Sequence, residues 1–554
     1  MSAKLETPFG CAIPPATRHA ITFHMPSWSN LMRFVEKDHT LFTELKSVYP
    51  RMVLHSDIKT LIAAILKHIG AGEDQMAFIF TSPISATECK EYAMSPKHGG
   101  DSLSEEQIPI RVFDINDIRL YMVIFPVIKM EILLPFWQIA GTGIASRLAE
   151  ECLKHIDSLH EISTSDPTLA PAPKPPSSTA HHHLRQRIAN LLERAPVGPP
   201  RLAKVTPEDV YLFPTGMASI YNVHRYLLKR YNTKSAFIGV AFHSTLHVFQ
   251  DFGPGWLHFG IGNEQELDEL EKQLEKAAKE GNPIQAIWGE FPTNPILTIP
   301  NVTRLRALAD KYHSLLILDD TISSFCNVDL LGVVDILVTS LTKSFSGYAD
   351  VMGGSAVINP SSARYPELKE MFNEYYENDY CNPDAEIMEK NSRDYLTRSR
   401  ILNANTSTLV FYLQAKTLDP TSSVVRVYHP LTFPFISFYQ ERMRPATEEF
   451  TPGYGYVFSF ELATIEAAVA FHENVNLHIG PHLGAHRTLV LPYVKALYGK
   501  GTEKEWGEGL GLCERQFRVA PGLEDVERLI GDLERGLRAA EATMLVKENL
   551  NGGV

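Results

Sequence analysis

Residues 340–355 read SLTKSFSGYADVMGGS, and they set one lysine, Lys343, among hydroxyl-bearing neighbours directly after the apolar, strand-like run 334–338. A lysine in that place can hold an aldehyde as a Schiff base, while Ser340 and Thr342 can reach a phosphate. An aldehyde and a phosphate on one cofactor point to pyridoxal phosphate. A Ser-x-Thr-Lys tetrapeptide is common by itself, so the reading depends on what accompanies it.

Working outward, 315–320 reads LLILDD, an apolar strand ending on two carboxylates. The carboxyl end of a buried strand is where open α/β sheets place ligands, so Asp319 or Asp320 can meet the cofactor while the other caps the following segment. An aspartate beside the pyridine nitrogen stabilises its protonated form and makes the ring an electron sink. Upstream, LFPTGMASIYNVHRYLLKR starts at Leu212, and its Thr215 and Gly216 precede a helix-like run. The first amides of such a helix, with its dipole, favour an anion such as a phosphate. Asn294 lies in the proline-fixed loop GEFPTNP, 289–295, either as a hydrogen-bond partner for the ring hydroxyl or as a turn former.

The chain around these motifs is long and acidic. Its 554 residues exceed one core and predict about three or four units by domain size. With 52 basic and 65 acidic residues, a net charge of -13 argues against nucleic acid or an anionic membrane as the main partner. Six scattered cysteines without a CxxC pair predict neither a disulfide framework nor a zinc site, which fits a reduced cytosol. The first residues lack a continuous apolar core of signal-peptide length, so export is not expected. The apolar stretch 120–141 is broken by Pro126, Lys129, Glu131 and Pro135, and it reads as buried strand and helix. STSDPTLAPAPKPPSSTA, 163–180, reads as a flexible surface linker. The side chains of the consecutive His181, His182 and His183 diverge, so no metal site is expected there. Beyond the linker, strands at 236–241, Ala286–Glu290, Leu315–Asp319 and 336–340 alternate with helical patterns such as 266–280. That alternation predicts a parallel sheet with crossover helices, followed after Pro430 by a smaller α/β unit ending near 540.

Taken in order, TGM at 215–217, GEFPTNP, LDDT at 318–321, SLTKSFSGYADVMGGS and FRVAPGLED at 517–525 together resemble the Cys/Met-metabolism family of pyridoxal-phosphate enzymes. TPFGCAIPPATRHA at 7–20, YPR at 49–51 and FWQIAGTGIASRLAE at 136–150 are similar to the fungal cystathionine γ-synthase subgroup and its biosynthetic-cluster relatives, which carry an extra N-terminal region. The resemblance implies a fold-type I, aspartate-aminotransferase-like α/β protein with pyridoxal 5'-phosphate as cofactor. Its expected parts are an arm at 1–70 reaching the neighbouring subunit, an extra region at 71–185, a large cofactor-binding domain at 186–397 and a small domain at 398–554. Residue by residue, it implies that Lys343 holds the cofactor and shuttles protons, and that Asp319 faces the ring nitrogen. Ser340, Thr342, Gly216 and Met217 would hold the phosphate, the last two through backbone amides at the turn led by Thr215. Tyr49 and Arg51 match a Tyr-x-Arg that completes this phosphate site from the neighbouring subunit, which implies a homodimer or homotetramer with shared active sites. Arg518 matches the arginine that grips the substrate α-carboxylate, a task suited to its planar fork.

Three segments depart from the family pattern. FHST at 242–245 replaces Tyr-Gly-Gly-Thr, so Phe242 can stack on the cofactor but carries no hydroxyl; either His243 or another group moves the proton, or the leaving group needs no such help. HLG at 482–484 stands for Ser-Leu-Gly, bringing His482 to the substrate, and RVAPG replaces RLSVG. The changes gather at the substrate, and the cofactor anchors remain. The expected activity is therefore γ-replacement on an O-acyl-L-homoserine by a non-standard carbon or nitrogen nucleophile, in the cytoplasm, as part of fungal secondary metabolism. The alternatives are a cystathionine γ-synthase using cysteine, a cystathionine or methionine γ-lyase, a non-catalytic homologue, or an aminotransferase.

Overall fold

Seven short strands form the central sheet: β5 (Val210–Phe213), β6 (Ser235–Ile238), β7 (Trp256–Phe259), β8 (Ala286–Glu290), β9 (Leu315–Asp319), β10 (Ile336–Thr339) and β11 (Gly354–Ile358). In the computed structural model, which describes residues 4–163 and 176–551, their order is β5-β11-β10-β9-β8-β6-β7. Strands β10, β9, β8, β6 and β7 pair parallel, and β11 pairs antiparallel with both β10 and β5. All but the edge strand β7 are buried nearly end to end, which is why they read as unbroken apolar runs rather than alternations. The strand expected over 236–241 stops at Ile238, because Gly239 turns the chain at φ +83°. The helix expected over 266–280 runs Glu264–Lys279, capped by the Asn263 side chain accepting from the Glu266 amide.

The small domain's sheet is built from β12 (Val424–Tyr428), β13 (Phe458–Leu462), β14 (His478–Ile479), β15 (Leu489–Leu491) and β16 (Gln516–Ala520), in the order β12-β13-β16-β15-β14. It joins the large domain through the helix Tyr395–Lys416. Tyr395 packs in the large domain's core, and Leu409, Val410 and Leu413 pack in the small one. The boundary expected at 397 therefore lies inside one continuous helix.

The extra region is an α/β module with its own core. Its sheet has the order β1-β3-β2-β4, from β1 (Gln75–Phe80), β2 (Ile110–Ile115), β3 (Ile118–Pro126) and β4 (His160–Ile162), all antiparallel. The apolar stretch 120–141 supplies β3 and the helix Met130–Ala140, as its interrupting prolines and charges imply. The module's hydrophobic cluster begins at Leu54 and includes the helix Ser56–His68, so it reaches back past the boundary drawn at residue 70. The boundary drawn at 185 falls inside the helix Thr179–Glu193. Most of the segment read as a linker lies outside the described residues. His181 is buried with its ring bonded to Ser178 and to the Tyr380 carbonyl, which leaves the neighbouring histidines without a third member. No described helix is long and apolar enough to cross a membrane.

The N-terminal arm lies along the small domain. The Met25 amide donates to the Ile479 carbonyl, and Phe23 and Met25 enter the small domain's core. The Ile21 amide donates to Ala349, just beyond the Lys343 loop.

Candidate active site

Lys343 emerges from the turn that follows β10, with the small-domain loop 482–484 pressed against it. A Cβ built on Gly484, whose φ is +71°, would stand 2.5 Å from the Ser344 amide nitrogen and 2.8 Å from the Tyr456 ring. Only a glycine lets that loop approach so closely. Burial, reinforced by the Arg518 charge, lowers the Lys343 ammonium to about 7, against a partial opposing pull from Asp319. The amine is thus available as a nucleophile near neutrality.

Three carboxylates meet where β8, β9 and β10 end. Asp319 accepts from the Thr321 amide at 2.8 Å, and burial raises its carboxyl to about 6. Asp320 is sealed inside, accepting from the Thr339 hydroxyl at 2.5 Å, and burial raises it to about 7. Asp320 is thereby the structural member of the pair, and Asp319 is the one next to Lys343 electrostatically. Sequence reading passed over Glu290, which pairs in register with Asp319. It accepts from the Phe242 amide at 2.8 Å and the Asn294 amide at 2.9 Å, while burial and Asp319 push it well above the usual carboxylate range. Its signal was present: like Asp319, it is the last residue of a buried strand.

The helix Gly216–Arg230 starts beside Ser340, where its first amides can meet an anion. Thr215 caps it, accepting from the Ala218 amide at 2.9 Å and donating to the Gly141 carbonyl at 3.0 Å. A Cβ on Gly216 would lie 2.5 Å from the Ser340 Cβ, so the glycine opens the space between helix start and Ser340. The Thr342 hydroxyl, expected at the phosphate, donates to the Gly353 carbonyl at 3.1 Å and accepts from its amide at 3.0 Å. It braces the lysine loop against the chain leading into β11. Arg51 donates to the Trp137 and Thr142 carbonyls, with its guanidinium 4.0 Å from the Trp137 ring and its buried Nε without a partner. An anion at this end would satisfy such a donor, and burial already lowers Arg51 to about 9. Met217 follows on the same helix turn, almost wholly buried.

At the opposite end, Arg518 is buried, with Nη1 donating to Asn294 Oδ1 at 3.3 Å and Nη2 donating to the Pro481 carbonyl. Its guanidinium lies 4.4 Å from the Tyr493 ring, and Asn294 Nδ2 donates to the Tyr493 hydroxyl at 3.3 Å. Asn294 thus ties Arg518 to Tyr493, a partner without any motif in the sequence. Two neutral acceptors hold Arg518, leaving its charge for an incoming carboxylate. His482 is buried with both ring nitrogens unpartnered, and burial, helped by Lys343 and Arg518, keeps the imidazole well below its ordinary value and so neutral. Tyr49 lies between them, its ring 5.2 Å from Lys343 Nζ and 6.4 Å from the His482 ring. The sequence led to an expectation of Tyr49 from a neighbouring subunit; within this single chain, its own arm brings Tyr49 to Lys343. Phe242 is half-buried at the start of the helix His243–Asp251, while the His243 ring turns to Glu503 and His247.

A nucleophilic amine, a carboxylate at a strand end, a helix-start anion site and a buried unpaired arginine fit pyridoxal phosphate bound with an amino acid. Such a site, on a mostly parallel sheet with a smaller C-terminal α/β domain, defines a fold-type I pyridoxal-phosphate enzyme. Residues 200–538 match the family model described as Cys/Met metabolism PLP-dependent enzyme, and residues 57–145 match that of the fungal trans-sulfuration enzyme N-terminal domain. The chain belongs to the Cys/Met metabolism family, whose cofactor is pyridoxal phosphate. It is 33% identical to alanine racemase ungC of Aspergillus violaceofuscus, over 96% of this chain and 97% of that one. It is also 33% identical to the cystathionine gamma-synthase-like enzyme iboG1 of Amanita muscaria, over 96% and 98%. The solved cystathionine gamma synthase from Xanthomonas oryzae pv. oryzae, in complex with cystathionine, is matched over its whole length and 66% of this chain, with a TM-score of 0.51 at 20% identity.

Proposed function

We propose that the protein carries out γ-replacement on an O-acyl-L-homoserine, joining an unusual carbon or nitrogen nucleophile to the γ-carbon in cytoplasmic, fungal secondary metabolism. His482 carries this reading: a buried neutral imidazole with two unpartnered nitrogens, where the family pattern has serine. The cofactor end keeps its chemistry, and the substrate end is rebuilt.

Bound pyridoxal phosphate supplies an electron sink for the charge that develops at the substrate α-carbon. Lys343 takes the α-proton on Nζ, and its lowered pKa of about 7 makes it an effective base near neutrality. Arg518 holds the α-carboxylate. Once Lys343 has passed the α-proton on, Nζ takes a β-proton and the acyl group leaves as a carboxylate; the nucleophile's bond to the γ-carbon takes the place of the broken C–O bond, and Lys343 returns one proton to the β-carbon and one to the α-carbon. His482, neutral and unpartnered, accepts the proton that the nucleophile gives up. Phe242 stacks but carries no proton, so the relay runs through Lys343 and His482. The family motif matched by Tyr49 and Arg51 supports a homodimer or homotetramer with shared active sites, because an arm exchanged between copies would keep the contacts it makes here.

A second reading is amino-acid racemisation. The full-length likeness to a protein named alanine racemase favours it, and the Tyr49 ring 5.2 Å from Lys343 Nζ brings an aromatic, hydroxyl-bearing side chain next to the lysine. One experiment separates the readings. Holoenzyme is incubated in D2O with O-acetyl-L-homoserine and separate cysteine, carbon and nitrogen nucleophiles, or with L-alanine, and the products are resolved by chiral chromatography and mass spectrometry. A new carbon or nitrogen adduct supports γ-replacement. Exclusive cystathionine formation from cysteine, or a 2-oxoacid released without a nucleophile, overturns the proposal, and deuterated D-alanine establishes the racemase.

A further inference from the structure

The helix that starts beside Phe242 carries His243 and His247 one turn apart, so both imidazoles project from one face. Glu503, on the helix Gly501–Gly509 of the small domain, meets that face. The three potential donor atoms form a compact triangle. His243 Nε2 and His247 Nε2 are 3.4 Å apart, and Glu503 Oε1 lies 3.3 Å from the first and 3.7 Å from the second. Ligands held tetrahedrally on zinc at about 2.0–2.1 Å stand about 3.3–3.4 Å from one another. The triangle therefore needs only side-chain adjustments of a few tenths of an ångström.

Two surrounding features resemble a built metal site. The other nitrogen of His247, Nδ1, faces Asp251 Oδ2 at 4.0 Å, beyond a hydrogen bond but on the side from which a carboxylate orients a metal-bound imidazole once the ring adjusts. Tyr498 stands edge-on to the His243 ring at 5.1 Å and walls one side. The histidine side chains are 24% and 25% exposed and Glu503 is 47% exposed, which leaves an opening for a solvent ligand. Sequence reading found no zinc pattern because the third donor lies 260 residues from the first.

We infer that His243, His247 and Glu503 bind one divalent transition-metal ion, zinc by donor chemistry, with water as fourth ligand. The ion clamps the helix following Phe242 to the small domain. This inference does not depend on the reaction catalysed. The test uses untagged holoenzyme, stripped with a chelator, gel-filtered and titrated with Zn2+ or Co2+. One metal per chain is expected by elemental analysis, and the Co2+ form should show the intense visible absorption of a four-coordinate site. Asp251→Asn should weaken Zn2+ binding at least about tenfold, and His247→Ala or Glu503→Ala by more. Retained cofactor absorbance identifies folded variants, and if a substitution costs the fold, the half-exposed Glu503→Gln decides. Sub-stoichiometric binding overturns the inference, as does affinity unchanged by these substitutions or binding lost only in His182→Ala and His183→Ala.

Discussion

Lys343 is held with its charge disfavoured, and the sign of that effect fixes a testable pH dependence. Its ordinary value of 10.5 falls to about 7, so the folded protein releases this proton more than three pH units early. Attack on the cofactor aldehyde requires the neutral amine. The rate of pyridoxal phosphate uptake by apoprotein, followed by absorbance, should rise about tenfold per pH unit below 7 and level off above it. A rate still climbing at pH 9 would mean an unperturbed lysine. Lys343 and the Asp319–Asp320 pair stood out in the sequence because each sits at the end of an apolar strand-like run, whereas the choice of Asp319 and the role of Arg518 came from the family resemblance. Glu290, Tyr493 and Tyr456 were not singled out, since their roles arise from pairing across strands and domains: Tyr456, for one, donates to the Thr321 carbonyl 135 residues away. Proximity in sequence did not reveal that the Thr342 hydroxyl also bonds the Gly353 backbone.

At the scale of elements, apolar runs located β6, β8, β9 and β10 of the central sheet to within three residues, whereas the short strands β5, β7 and β11 were not predicted. Domain edges were less legible, because the chain crosses between bodies inside continuous helices whose composition does not change at the crossing. The extra module had no readable role, yet its loop at Gly141 touches the start of the Gly216–Arg230 helix, where the phosphate is proposed to bind. Gly141 has φ +65°, and a Cβ there would lie 2.4 Å from Thr215 Oγ1 and 2.7 Å from the Ala218 amide nitrogen. The module thus buttresses the cap of the Gly216–Arg230 helix. Gly141→Ala should displace that cap and raise the dissociation constant for pyridoxal phosphate at least tenfold, roughly 1.4 kcal/mol, measured by fluorescence titration of apoprotein. Unchanged affinity would show that the helix start stands without the module.

Across the whole molecule, the arm couples the N-terminus to the substrate end. Met25 is 1% exposed and bonded to Ile479, and a Cβ on Gly480 would meet the Phe23 carbonyl at 2.6 Å, two residues before His482. Met25→Ala should cost about 2–5 kcal/mol of stability. It should also raise KM for the amino-acid substrate while cofactor affinity holds, and loss of both together would show that the 21–25 stretch does not act on the substrate end alone. The account as a whole turns on one lysine. Reducing the holoenzyme with borohydride and mapping its peptides by mass spectrometry tests this directly: a phosphopyridoxyl group on the peptide containing Lys343 is the predicted result, and its appearance on any other lysine, or on none, would contradict it.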